Sequence, residues 1–148
     1  MEEVLNDFFI NRNDKLLKEF DACILLQPTS PLRKAEDLLA AQKIYEDSNA
    51  SLVLSANIVD PSWQKLFVEN EQGNIEPLTG RAPFANRQSL PALYKPNGAV
   101  YIFSISEYKE TKGFPLRCVK PFKASHESEI DLDNMNDWNN AEKLMETK

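Results

Sequence analysis

The stretch ACILLQPTSPLR, residues 22–33, decides how this chain folds. Ala22 to Leu26 is a short, unbroken apolar run, the pattern of a strand covered on both faces. QPTSPLR then places two prolines among polar residues, which predicts a loop, and Ser30-Pro31 has the form of an N-cap followed by proline at the first helical position. Lys34 to Asp47 reads as a helix with Leu38, Ala41 and Tyr45 on one face, and Ser48-Asn49 ends it. Upstream, residues 2–20 read as helix with a break near Asn11-Arg12-Asn13; Val4, Leu5, Phe8 and Phe9 form one apolar stripe and Leu16, Leu17 and Phe20 another. Downstream, SLVLSA (Ser51 to Ala56) is a second apolar strand. Helix, strand, helix, strand in that order predicts a parallel α/β sheet.

Beyond residue 60 the pattern changes. KLFVE and NIEPL flank Asn70-Glu71-Gln72-Gly73, which predicts a β-hairpin. Gly80 to Lys95 has no clear period and carries Arg81 and Arg87, a long excursion of the kind that is functional or interfacial. NGAVYIFS (Asn97 to Ser104) is a strand, Ile105 to Lys112 a short helix ended by Gly113, and RCVKPF an edge-type strand. EIDLD is a last extended piece. A closing helix begins near Asn134 or Met135 with Trp138, Ala141, Leu144 and Met145 as its buried face.

The 148 residues, 42% hydrophobic, suffice for one domain with a core. A net charge of −6 repels phosphate backbones, so no nucleic-acid partner is expected. The N-terminus MEEVLNDFF lacks the basic and apolar regions of a signal peptide, and no apolar run is long enough to span a bilayer; a soluble, cytoplasmic protein is expected. The two cysteines, Cys23 and Cys118, sit in apolar strand-like contexts and read as buried thiols, and His126 is the only histidine, so there is no Cys/His metal spacing.

Three groups of residues carry candidate chemistry. Ligands of an open α/β sheet bind just past the C-terminal ends of strands, which is where Gln27, Thr29 and Ser30 fall; Gln27 offers both a donor and an acceptor for hydroxyls. Read alone, the same loop is more simply a proline-stiffened strand-to-helix connection. In Glu129 to Asp133, residues two apart in an extended chain point to one side, so Asp131 and Asp133 either present two carboxylates to a hard cation such as Mg²⁺ or simply favour the start of the next helix. Lys65, Arg87, Asn97 and Tyr101 form a third group, in which two cations would hold a carboxylate or merely decorate the surface, with Tyr101 in the core.

Taken in order, LLQPTSPLR (Leu25 to Arg33), RQSLP (Arg87 to Pro91) with NGAVYIF (Asn97 to Phe103), and IDLD (Ile130 to Asp133) with DWNNAE (Asp137 to Glu142) resemble the acylneuraminate cytidylyltransferases, also called CMP-sialic acid synthetases. The resemblance covers nearly the whole chain. It implies a Rossmann-like α/β nucleotidyltransferase fold of three layers with a mostly parallel sheet, one partial domain spanning residues 1–148. It also implies a hairpin excursion, residues 63–93, that dimerises with a second copy. The implied reaction joins CTP and a nine-carbon 2-keto sugar acid, releasing pyrophosphate. Gln27 and Tyr101 would contact the sugar, with Thr29, Ser30 and Asn97 beside them. Arg87 and Lys65 would face its carboxylate, and Asp131 and Asp133 would hold Mg²⁺, Asp133 also helping to place or deprotonate the attacking hydroxyl.

The resemblance also marks a gap. Such enzymes open with a strand and a basic, glycine-bearing loop that grips the CTP phosphates. The four glycines here, at 73, 80, 98 and 113, are scattered, whereas a phosphate nest needs clustered backbone N–H groups. The first strand and phosphate loop are therefore expected to be missing, so that Ala22 to Leu26 loses a neighbour at the sheet's centre and the isolated chain is destabilised or binds CTP poorly. Two further functions stay open: a non-catalytic remnant that binds a sugar acid or dimerises, and a related enzyme such as a 3-deoxy-octulosonate cytidylyltransferase, which the QPTSPLR loop disfavours.

Overall fold

A four-stranded sheet with strand order β1-β5-β2-β6 organises the chain. In this computed structural model the described residues are 1–11, 18–79, 83–125 and 130–146. The elements in order are α1 (Glu2–Asn6), β1 (Ala22–Leu25), α2 (Ala35–Asp47), β2 (Leu52–Val59), β3 (Phe67–Glu69), β4 (Ile75–Pro77), β5 (Leu93–Ser104), α3 (Ile105–Thr111), β6 (Val119–Phe122) and α4 (Met135–Glu146). Arg12, Asn13, Leu16, Leu17, Gly80, Arg81, His126 and Glu129, all used in reading the sequence, lie outside the described residues.

β1 pairs antiparallel with β5, from Ala22 opposite Ser104 to Leu25 opposite Tyr101. β2 pairs parallel with β6, from Leu52 opposite Val119 to Ser55 opposite Phe122. Contacts between β5 and β2 run in opposite senses: Ser104 N–H donates to Ser51 O, Val100 N–H to Ser55 Oγ, and Asn97 Nδ2 to Asn57 Oδ1. Three strands therefore point one way and β5, inserted between them, points back. The C-terminal ends of β1, β2 and β6 share one rim of the sheet with the Asn97 end of β5.

Two clusters cover the two faces. On one, Val53, Val100, Ile102 and Phe122 pack with Ala41 of α2, and Leu38, Ile44 and Tyr45 close over them. On the other, Leu52 and Phe103 pack with Leu5, Phe9, Ile105 and Tyr108, with Cys23, Leu25, Tyr101 and Phe114 alongside. Residues one apart along β2 and β5 serve opposite faces, as a period of two requires. Rings dominate the second cluster: Phe9, Phe103, Tyr108 and Phe114 meet edge-on or tilted at centroid separations of 5.2–6.0 Å. Helices on both faces of one sheet make the three-layer α/β arrangement expected from the sequence.

Several local expectations are corrected. β1 is covered on one face only: Cys23 and Leu25 pack inward, whereas Ile24 and Leu26 are exposed. Helix α2 starts at Ala35, not beside Ser30-Pro31; Lys34 takes the N-cap position and its N–H donates to Asp37 Oδ2. The first helix is one turn that passes into a π-helical turn at Asp7–Asn11, burying Leu5 and Phe9 but leaving Val4 and Phe8 exposed. The left-handed residue closing α3 is Lys112, φ 55°, rather than Gly113. On α4 only Ala141 is buried, and Trp138 and Met145 are exposed. Residues 130–133 form no strand; Asp133 N–H folds back onto Asp131 O at 3.2 Å.

Residues 58–95 form a second compact unit. Its β3–β4 hairpin pairs Phe67 with Pro77 and Glu69 with Ile75. Asn70 Oδ1 accepts from Gln72 N–H and Asn74 N–H, and Gly73 supplies the positive φ of 78° that the turn needs. Trp63, Phe67, Ile75, Leu78 and Phe84 are all exposed.

Candidate functional site

Gln27 leaves the end of β1 at the shared rim, and the chain turns at once: Ser30 N–H donates to Gln27 O. Two prolines remove N–H groups that could extend the ladder, so the strand stops there. The loop is held from within. Arg33 reaches back, donating from Nε to Ala99 O and from Nη2 to Gln27 O, each at 2.6 Å. Burial draws the Arg33 guanidinium below its ordinary pKa, although a guanidinium stays protonated.

Opposite Gln27, β5 passes through Gly98 at φ 81°. A Cβ at that position would overlap Gln27 Oε1 and stand 3.6 Å from Asp131 Oδ2. Glycine thus meets two demands, a left-handed backbone and a close approach of the amide. Asn97 beside it is buried and internally committed: its Nδ2 donates to Asn57 Oδ1 at 2.8 Å and its Oδ1 accepts from Ala99 N–H at 3.3 Å. That makes Asn97 the former of the Gly98 bend.

Asp131 arrives from the other side. Leu132 N–H donates to Thr29 O at 2.8 Å, which docks residues 131–132 against the QPTSPLR loop. Asp131 Oδ1 is buried with no hydrogen-bond partner, and so is the hydroxyl of Ser30, itself 1% exposed. A buried carboxylate oxygen without a donor costs several kcal/mol unless a cation or donor meets it (about 1–3 kcal/mol even for a neutral group). Tyr101, paired with Leu25 two residues before Gln27, feels the same carboxylate: desolvation, then the Asp131 charge, pushes its phenol above 10.0. Tyr101 stacks on Phe114 with centroids 5.4 Å apart. Both line a cavity of 590 Å³ together with Leu52, Leu54, Pro96 and Leu116, walled on one side by Met1, Glu2 and Glu3. The Gln27 amide also donates to Met1 Sδ at 3.4 Å.

The structure therefore brings Gln27, Thr29, Ser30, Asn97, Tyr101 and Asp131 to one rim. Asp133 behaves differently from Asp131. It is exposed, and its N–H, like that of Asn134, donates to Asp137 Oδ2, while Asn134 Oδ1 caps α4 by accepting from Asn136 and Asp137 N–H. The two aspartates are thus not alternate residues of a strand; a tight bend between them leaves Asp131 turned inward and Asp133 at the surface. Lys65 and Arg87 belong to the 58–95 unit; Lys65 is half-buried at the end of the 3-10 turn Pro61–Lys65, and Arg87 Nη2 is paired with Asp60 Oδ2 at 2.9 Å. Hydrogen bonds from Ser62, and then the Arg87 charge, hold the Asp60 carboxyl below its usual range. Among the described residues, no group of three or more His, Cys, Asp or Glu side chains is arranged to hold a metal. Mg²⁺, however, commonly takes one or two carboxylates and completes its shell with waters and substrate phosphates, and the orphaned Asp131 oxygen with Asp133 two residues on is a donor set of that kind.

Sequence reasoning missed Arg33 and Gly98 as site-forming residues. Gly98 had a readable signal, a lone glycine inside a strand pattern, which marks a bulge or a close backbone approach. Arg33 had none, because its two acceptors are carbonyls that any residue type supplies.

An α/β sheet with one reversed strand, helices on both faces and a polar rim defines a Rossmann-like nucleotidyltransferase fold. The fold is shared with 4-diphosphocytidyl-2C-methyl-D-erythritol synthase from Anaerococcus prevotii, at a TM-score of 0.63 over 98% of this chain and 66% of that one, with 11% identity. In sequence the chain is similar to acylneuraminate-type cytidylyltransferases. It is 36% identical over 132 residues to the CMP-N,N'-diacetyllegionaminic acid synthase of Legionella pneumophila, covering 86% of this chain and 55% of that protein. It is 29% identical over 136 residues to the N-acylneuraminate cytidylyltransferase of Streptococcus agalactiae, covering 92% of this chain and 32% of that protein. The chain thus spans about half and about a third of the length of these relatives. No protein-family profile matches it. Among the described residues no helix is long and apolar enough to cross a membrane.

Proposed function

We propose that this chain carries the sugar-acid site of a cytidylyltransferase, which transfers CMP from CTP to a nonulosonic 2-keto sugar acid and releases pyrophosphate. The observation that carries the reading is the meeting of the Gln27 amide and the Asp131 carboxylate around the side-chain-free face of Gly98, at the rim where α/β sheets bind ligands. Gln27 donates to and accepts from sugar hydroxyls, and Tyr101 and Phe114 offer an apolar wall for the sugar's substituents. Asp131 and Asp133 would hold Mg²⁺, which when bound would supply charge neutralisation at the phosphates. The anomeric hydroxyl attacks the α-phosphorus, the bond to the β-phosphate oxygen breaks, and the hydroxyl proton leaves to a base for which Asp133 is the candidate. Arg87 and Lys65 are assigned to the sugar carboxylate, and the exposed apolar side chains of residues 63–93 to contact with a second copy of the chain.

A second reading, binding without turnover, is favoured by the wide spacing of the four glycines at 73, 80, 98 and 113, no two of which are close enough in sequence to share one phosphate-binding turn. One experiment separates the readings. Calorimetric titration with a sialic-type acid is expected to give saturable binding that Gln27→Ala weakens, and pyrophosphate release is then measured with CTP, Mg²⁺ and the sugar acid. Sugar-acid binding without pyrophosphate release selects the binding-only reading. No sugar-acid binding overturns both.

A further inference from the structure

The β1–β5 ladder stops at Leu25 opposite Tyr101. Continued in register, the next positions are Leu26 opposite Val100 and Gln27 opposite Ala99. At that last position the two strands make no ladder pair, and the carbonyls of Gln27 and Ala99 are instead gripped by one side chain, the Arg33 guanidinium, at 2.6 Å each. The planar fork of arginine is suited to such a grip, since Nε and Nη2 donate in fixed relative directions and the guanidinium itself sets the spacing of the two carbonyls. Gly98 immediately precedes Ala99, and Gln27 Oε1 lies where a Gly98 Cβ would stand. The width of the mouth between β1 and β5 therefore decides where the Gln27 amide sits against Gly98 and how it faces Asp131.

We propose that Arg33 is the positioning residue of the Gln27 subsite: it clamps the frayed end of the β1–β5 pair at one width and thereby holds the Gln27 amide in place beside Asp131. The Arg33 Nε and Nη2 hydrogen bonds both run to the backbone, so they act on the chain itself. Lysine cannot replace it, because a single ammonium does not present two coplanar donors at fixed spacing. The clamp also accounts for the loop's length. From Gln27 the chain must turn through Pro28 and Pro31 and return within six residues for Arg33 to reach Gln27 O, and the Ser30 N–H to Gln27 O turn makes that return.

The test uses nuclear magnetic resonance on the full chain, with Arg33→Lys and, as a control away from the site, Arg117→Lys, an exposed residue paired with Glu107. In the wild type the Arg33 Nε–H is expected to be protected from solvent exchange, with separate Nη resonances from hindered rotation. Collapsed, fast-exchanging signals overturn the clamp without requiring any variant to fold. Arg33→Lys is expected to leave the backbone spectrum of α2, β2 and β6 in place while the Gln27 side-chain amide pair moves toward its solvent-exposed position. Its sugar-acid dissociation constant is expected to weaken about tenfold, the effect of one lost charge-assisted hydrogen bond, while Arg117→Lys changes neither. Gln27 amide signals in Arg33→Lys that match the wild type overturn the proposal. The affinity arm rests on the sugar-acid reading and the amide arm does not, so a wild type that binds no sugar acid refutes that reading while the amide signals still decide the role of Arg33.

Discussion

Replacing Gly98 with alanine tests the geometry of the site through stability alone. Two costs follow from the structure. At φ 81° the backbone is left-handed, and a Cβ there costs about 1–2 kcal/mol. The same Cβ overlaps Gln27 Oε1, the far end of a flexible side chain, so Gln27 gives way by leaving its rotamer at about 0.5–1.5 kcal/mol more. Gly98→Ala should therefore lose about 2–3 kcal/mol in total, which in a chain of this length lowers Tm by roughly 4–12 °C. The two costs separate in a double-mutant cycle. In a Gln27→Ala background the overlap is gone and only the backbone cost of about 1–2 kcal/mol remains, so the coupling energy should be about 0.5–1.5 kcal/mol. Gly73→Ala is the outside reference. It has a similar φ of 78° but its Cβ would meet nothing nearer than Glu69 Oε1 at 3.8 Å, so it should show the backbone cost alone. Urea denaturation of wild type, both single mutants and the double mutant gives the cycle. If Gly98→Ala costs the same with and without the Gln27 side chain, within the roughly 0.5 kcal/mol error of such cycles, then Gln27 is not lodged against Gly98 and the site geometry is wrong.

Other perturbations follow from individual contacts. Ser51 is fully buried, and its hydroxyl accepts from Cys118 N–H at 2.9 Å and donates to Pro115 O at 3.0 Å, so Ser51→Ala should cost about 1–3 kcal/mol by chemical denaturation, with a loss within about 0.5 kcal/mol contradicting the assigned bonds. Phe103→Ala should cost about 3–5 kcal/mol, whereas Trp138→Ala on the exposed face of α4 should fall within about 0.5 kcal/mol, and equal losses would mean that α4 buries the stripe its sequence suggests. Tyr45, Tyr101 and Tyr108 all have phenol pKa values raised above 10.0, first by burial. The folded state therefore holds protons that the unfolded state has lost: the stabilisation is complete below pH 10.0 and disappears as pH climbs through the raised folded values. Asp131→Asn should lower the Tyr101 transition in an ultraviolet titration, and an unchanged transition would remove the Asp131 contact.

The features legible in the residues alone are those whose causes are local. The apolar run after residue 21 and the prolines behind it define a strand and its abrupt end, the 3.6-residue spacing of Leu38, Ala41 and Tyr45 defines α2, and Asn70 with Gly73 defines the hairpin turn. The rim position of Gln27 follows from the order of elements, because loops after parallel strands gather at one end of a sheet. Which distant backbones come together is settled only once the chain has folded. An apolar strand records that it will be buried but neither its neighbours nor its direction, so the reversed insertion of β5 between β1 and β2 was not legible. Asp131 and Asp133 are two apart along the chain, yet one is drawn inward by the Leu132 bond to Thr29 and the other is left at the surface by the Asp137 cap. Arg33 was unreadable for the same reason: its role depends on two main-chain carbonyls, and the sequence carries no record of where a carbonyl will point until the sheet has formed.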